Sequence, residues 1–207
     1  MSDSPSLTRR ALIAAAGLAA ALAAAPLHAQ GAREVVEMAL GDPEAPVTMV
    51  EYASFTCPHC ADFALNVMPE LKAQYIDTGK VRLIYREVYF DRPSLWASMI
   101  ARCAGEDRYF GVAELLFRDQ QTWTQAADAQ GLVNALFSIG RQAGMIDGEM
   151  QACMQDGDFA QALVTWFQGN AQTDSIDATP TFVLNGEKLA NMPWPELKAK
   201  IEEKLGS

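Results

Sequence analysis

No stretch of this 207-residue sequence gathers basic side chains: 16 Lys and Arg are scattered among 26 Asp and Glu, for a formal net charge of −10. A nucleic-acid partner needs a basic face to neutralise phosphate, so that class of function is set aside. Glycine and proline are too few, at 14 and 10, for a collagen-like or low-complexity chain. There is no internal repeat and no linker that would divide the chain into independent domains. Histidine is scarce, with only His28 and His59, and the cysteines number four: Cys57, Cys60, Cys103 and Cys153. Half of the residues are hydrophobic. A domain of ~150 residues already buries roughly two-thirds of its unfolded surface, so this chain can build a core without covalent staples.

The first segment locates the protein. Arg9 and Arg10 precede the run Ala11 to Ala25, ten of whose fifteen residues are Ala, and Pro26 and the small Ala29 follow. Residues 1–29 read as a signal peptide cleaved after Ala29. The run is too short and too weakly apolar for a span of about 20 residues, which leaves an uncleaved anchor as the lesser alternative. Thr8-Arg9-Arg10-Ala11-Leu12 is also similar to a twin-arginine signal, so that route and the general secretory one both stay open. Loss of Asp3, Arg9, Arg10 and His28 leaves 14 basic against 25 acidic residues, a net charge of −11, and a single histidine. Export, here to a bacterial periplasm, puts the cysteines where disulfides form and persist.

In the mature chain, Val47 to Tyr52 is rich in strand formers and runs straight towards Cys57. The period then changes. Cys60, Phe63, Ala64, Val67 and Leu71 share one helical face, with Pro69 expected to kink it. Val81 to Val88 reads as a second strand, completing the start of a parallel α/β unit. From residue 93 to 173 only helical stripes appear: Trp96, Met99, Ile100 and Cys103; Tyr109, Val112, Ala113, Leu116 and Phe117; Leu132, Ala135, Leu136 and Ile139; Phe159, Leu163, Trp166 and Phe167. A shorter helix is expected to carry Ile146, Met150, Cys153 and Met154. Thr181 to Leu184 returns to strand, Asn185-Gly186 turns a hairpin, and Trp194, Leu197, Ile201 and Leu205 mark a closing helix with Pro195 in its first turn. The organisation is thus an α/β segment (30–92), a helical insertion (93–173) that caps one side of the sheet, and a second α/β segment (174–207).

Cys57-Pro58-His59-Cys60 falls between the first strand and the first helix, the setting in which Cys-x-x-Cys marks thiol-disulfide exchange. Two intervening residues let one helical turn bring the sulfurs together. Cys57 sits at the helix start, where unpaired N–H groups and the dipole stabilise a thiolate. Pro58 takes the first helical position, where its missing N–H costs nothing. His59 is expected to add a donor and, when protonated, a positive charge beside Cys57. A thiolate so stabilised favours the reduced protein and makes the oxidised form a disulfide donor; about 30 mV corresponds to ~1.4 kcal/mol, so two or three such interactions separate an oxidant from a reductant. Zinc would need two further ligands that are not paired as a second Cys-x-x-Cys. Covalent haem is excluded because Ala61, not His, follows Cys60. An inert structural disulfide remains an alternative.

Gly41-Asp42-Pro43-Glu44-Ala45-Pro46-Val47, Glu51, the Cys-Pro-His-Cys turn, Ala178-Thr179-Pro180-Thr181-Phe182 and Asn185-Gly186 together resemble the DsbA family of periplasmic thiol-disulfide oxidoreductases. The resemblance covers essentially the whole mature chain, in order. It implies a thioredoxin-like fold with an inserted all-helical domain, and dithiol oxidase activity on newly exported proteins with free cysteines. It further implies no cofactor, no metal, a monomer, and recharging by a DsbB-like membrane oxidase. Cys57 resembles the exposed nucleophile and Cys60 the buried resolving cysteine. Thr179-Pro180 resembles the cis-proline loop that faces the disulfide, where the Thr179 backbone pairs with an extended substrate peptide; without the resemblance, a plain trans bond is the default. Thr before that proline is a feature shared with isomerases and reductases. Glu51 resembles the family's acidic residue beneath the active site, where a buried carboxylate relays protons to and from Cys60; the residues alone also allow an edge-exposed glutamate.

Cys103 and Cys153 each lie on the apolar stripe of an expected helix, so both point into one small core, and an oxidising compartment favours a disulfide over two buried thiols. Closing a loop of ~51 residues would stabilise by about 4 kcal/mol in the chain-entropy model, an upper figure. Beside the oxidase reading stand a periplasmic reductase or isomerase and, from another class, a peptide-binding chaperone whose disulfide is incidental.

Overall fold

The computed structural model describes residues 34–206. The signal peptide expected over residues 1–29, with Arg9, Arg10 and His28, lies outside them. Five strands form one sheet in the order β1-β3-β2-β4-β5. β2 (Val47–Ala53) is its centre and is buried along nearly its whole length, which is why it carries the continuous apolar composition of a strand covered on both faces. β3 (Val81–Glu87) pairs parallel to it from Val47↔Val81 to Ala53↔Glu87. A parallel partner needs a crossover. Here it is α1 (Pro58–Asp62), a π-helical turn (Phe63–Val67), α2 (Met68–Leu71) and a second π-helical turn (Lys72–Ile76). The sequence predicts a kink at Pro69; there the regular helix gives way on either side to wider turns, which accommodate the bond a proline cannot make.

β4 (Thr181–Leu184) pairs antiparallel to β2 and β5 (Glu187–Ala190) antiparallel to β4. Asn185 and Gly186 between them have φ of 45° and 86°, the left-handed pair a type I′ hairpin turn requires. β1 (Met38–Leu40) lies antiparallel to β3. It has only three residues, too few to show alternation, and sequence reasoning does not find it.

Between β3 and β4 run α3 (Arg92–Cys103), α4 (Glu106–Arg118), α5 (Gln120–Trp123), α6 (Ala129–Gln142), α7 (Asp147–Gln155) and α8 (Gly157–Thr173). The stripes read from sequence are the faces they bury, with one correction. Ile146 is not a core residue: it caps the N-terminus of α7 and is 62% exposed. α9 (Trp194–Leu205) closes the chain and packs on Val47, Met49 and Leu83 of the sheet.

Strand alternation turns Val50, Tyr52 and Ile84 to one face, where Phe167 and Ile176 pack on them, and the neighbouring residues to the other. Val47, Met49, Phe63, Leu71, Leu83, Phe182, Leu197 and Ile201 pack on the α9 side. Farther along that same face, Ala53 and Tyr85, with Phe55 and Cys60 beyond the strand end, share one apolar cluster with Ile100, Tyr109, Val112 and Leu116 of the insertion. The end of the central strand and the buried cysteine therefore belong to the same core as the inserted helices. A buried ion pair reinforces the joint: Arg102 donates to both carboxylate oxygens of Glu87 at 2.6 and 2.7 Å, and the Tyr109 hydroxyl donates to the same group at 2.7 Å.

Candidate active site

Each cysteine of the Cys57–Cys60 pair is placed by a different element. Cys57 is the N-cap of α1, extended at φ −82° and ψ 120°, and half-buried; Pro58 occupies the first turn. Cys60, one turn in, is fully buried. Both are thiols in this structure.

Their chemistry diverges sharply. Cys57 is lowered to about 5, first by a hydrogen bond from the Cys60 thiol, against the cost of partial burial, and then by bonds from the Thr179 side chain and the backbone N–H groups of Cys60 and His59. All of these stabilise a thiolate, the nucleophilic form. Cys60 is pushed far up, chiefly by burial and then by donating to Cys57. One thiol is anionic at neutral pH and its neighbour holds its proton.

His59 itself contributes differently from the sequence expectation. Its side chain is exposed, and the group that reaches the Cys57 sulfur is its backbone N–H. Among the described residues, no imidazole hydrogen bond to Cys57 occurs.

Thr179-Pro180 is a cis peptide and stands opposite the turn. The Thr179 carbonyl lies 3.4 Å from Cys57 Sγ, where the protonated thiol donates to it. Thr179 thus meets the sulfur in both states: its carbonyl accepts from the thiol and its side chain donates to the thiolate.

Glu51 lies on β2 and is 1% exposed, which removes the edge-exposed alternative. Neither of its carboxyl oxygens has a hydrogen-bond partner. Burial alone raises it to about 8, and its charge in turn helps to raise Cys60. Beside it on β3, register partner Tyr85 also buries an unpartnered hydroxyl. Both residues line a cavity of about 490 Å³ whose walls include Leu40, Met68, Phe110 and Phe117.

Three side chains at the site have no sequence signal. Gln120 Nε2, from α5, donates to the carbonyl oxygens of Phe55 at 2.8 Å and Cys57 at 3.0 Å. Thr56 Oγ1 donates to Asp91 at 2.8 Å, and Asp91 caps α3 by accepting from the Ser94 N–H. Cys103 and Cys153 are bonded to each other, with Cα atoms 6.3 Å apart, joining α3 to α7.

With this geometry in view, comparison with known proteins identifies the class. The thioredoxin family profile matches residues 33–203, and the chain belongs to that family. Within it, the fold is that of DsbA-type structures. Wolbachia pipientis alpha-DsbA1 is 27% identical and superposes with a TM-score of 0.75 over 86% of this chain and 94% of that one. Oxidised BdbD of Bacillus subtilis is 25% identical, with a TM-score of 0.73 over 83% and 94%. A Rickettsia bellii protein named for protein-disulfide oxidoreductase activity is 30% identical over 170 residues, 82% of this chain but 64% of its own length. The chain thus spans less than two-thirds of that relative.

Proposed function

We propose that the protein is a periplasmic dithiol oxidase, exported by the signal peptide expected over residues 1–29, which donates a Cys57–Cys60 disulfide to newly exported proteins. The observation that carries this is the asymmetry of the two thiols, with Cys57 lowered to about 5 and Cys60 pushed far up. A substrate thiolate attacks Cys57 Sγ, and the Cys57–Cys60 bond breaks as the mixed disulfide forms. The electron pair leaves on Cys60, which takes up a proton. Glu51, largely protonated at neutral pH when raised to about 8, would supply it. A second substrate thiolate then attacks the substrate sulfur and expels Cys57 as a thiolate, a good leaving group because its conjugate acid is strong. The substrate has lost two electrons and the protein holds them as a dithiol. A DsbB-like membrane oxidase would remove them.

The substrate peptide would lie along the Thr179-Pro180 loop, pairing with the Thr179 backbone as an added strand. Thr179 also keeps a second reading open, a reductase or isomerase, because Thr before this proline is a feature shared with those enzymes. Equilibration with glutathione separates the two. An oxidase should show a potential nearer the roughly −120 mV of a strong oxidant than the roughly −270 mV of thioredoxin; a value at the thioredoxin end would establish a reductase. Retention of client protection by Cys57→Ser would favour a chaperone.

A further inference from the structure

The catalytic turn does not belong to the sheet domain alone. Phe55, Thr56 and Cys57 leave the end of β2 and are met at once by side chains of the inserted helices. Gln120 is 6% exposed, and its amide nitrogen has two hydrogens, one for each of the two carbonyls it reaches, Phe55 at 2.8 Å and Cys57 at 3.0 Å. The donor is saturated. The Cys57 carbonyl also accepts the Ala61 N–H at 3.1 Å, the bond that starts α1. A carbonyl held from two directions fixes the peptide plane joining Cys57 to Pro58, and with it the direction in which the first turn presents its N–H groups.

We infer that Gln120 is a positioning residue for the nucleophile: from the helical insertion, it holds the Cys57 peptide group in the orientation that aims the N–H groups of His59 and Cys60 at Sγ. The insertion is then part of the catalytic apparatus as well as a cover for the sheet. Hydrogen bonds to a charged acceptor weaken steeply as the donor angle falls, so rotation of that plane costs the thiolate more than the thiol. The Asp91–Thr56 bond holds the preceding residue from α3 but touches neither carbonyl, so it cannot replace Gln120.

The inference rests on the reading of Cys57 as the nucleophile, and the test keeps the two apart. The thiolate absorbance and alkylation rate of reduced wild type, Gln120→Met and Gln120→Glu would be followed against pH. Met keeps the length and apolar stem but has no donor; an ionised Glu offers only acceptors to two carbonyls. Wild type should titrate near 5, and wild type titrating near the ordinary ~8.5 would overturn the functional reading itself. Both variants should titrate at least one pH unit higher than wild type, and become less oxidising by about 30 mV for each tenfold change. Variants that lose thermal stability but titrate with wild type would reduce Gln120 to a structural tie and overturn the inference. Should neither variant fold, the wild-type Gln120 side-chain amide resonances decide: they should move with the Cys57 titration, and resonances that stay still through it would overturn the inference equally.

Discussion

At the scale of single residues, the site separates two thiols with ordinary properties into a nucleophile and a proton holder. Burial of Cys60 and its hydrogen bond to Cys57 lead, and the Thr179 side chain and the first-turn N–H groups add to them. The first-turn N–H groups cannot be removed by substitution, whereas the His59 imidazole is exposed and makes no bond to the sulfur. An exposed charge interaction contributes at most about 1 kcal/mol, against roughly 1.5–3 kcal/mol for a charge-assisted hydrogen bond. His59→Ala should therefore raise the Cys57 titration midpoint by less than about 0.7 pH units, or less than about 20 mV. Alkylation kinetics against pH check this. A rise of 1.5 units would restore the side-chain role expected from sequence, through an imidazole that closes onto the sulfur in solution.

At the scale of elements, β3, α3 and α4 are locked by charge as well as by apolar packing. Glu87 and Arg102 are 1% and 7% exposed, the guanidinium forks onto both carboxylate oxygens, and Arg102 also donates to the Val36 carbonyl and lies 5.1 Å from the Trp166 ring centroid. Replacing the pair together with apolar residues can be neutral, but removing one partner strands the other. Arg102→Met should destabilise by about 3–5 kcal/mol, and Arg102→Met with Glu87→Leu should recover much of that. Urea melts of the two variants measure the difference, and a single variant as stable as the double one would contradict it. Arg102 adjoins Cys103, so the disulfide to α7 and this ion pair brace the same turn of α3.

For the whole molecule, redox state and pH are linked through two groups displaced in opposite directions. Cys57 is depressed to about 5, so its contribution to the dithiol form is complete above its ordinary value of 9.0 and is lost as pH falls towards 5. Glu51 is raised to about 8, so its contribution is complete below 4.5 and is lost as pH rises through 8. In the disulfide form Cys57 does not titrate and only Glu51 acts. Cys60, pushed above 9, enters only at higher pH. The disulfide form should therefore lose stability steadily from about pH 5 to pH 8 while the dithiol form stays nearly level. The advantage of the dithiol form should widen from pH 5 to pH 9. Denaturation of both forms at pH 5, 7 and 9 tests this; a constant gap would show that the Cys57 thiolate carries no folding energy.

Local chemistry made part of this legible in the amino-acid sequence. A strand former run ending in Cys-Pro-His-Cys marks the candidate exchange site because proline at the first helical position and paired thiols one turn apart are consequences of chain geometry. Asn185-Gly186 marks the hairpin because few other residues accept two left-handed conformations in succession. Helical stripes place Cys103 and Cys153 on buried faces. The remainder depends on contacts between residues far apart in the chain. Gln120 looks like any other polar helix residue until α5 is laid against the end of β2, 63 positions away from Cys57. Glu51 holds its proton to about pH 8 through burial on a central strand, and no hydrophobic pattern records which strand will be central. Whether His59 reaches Cys57 by its ring or by its backbone is decided by the direction of the side chain over the helix start, which only the folded surface sets.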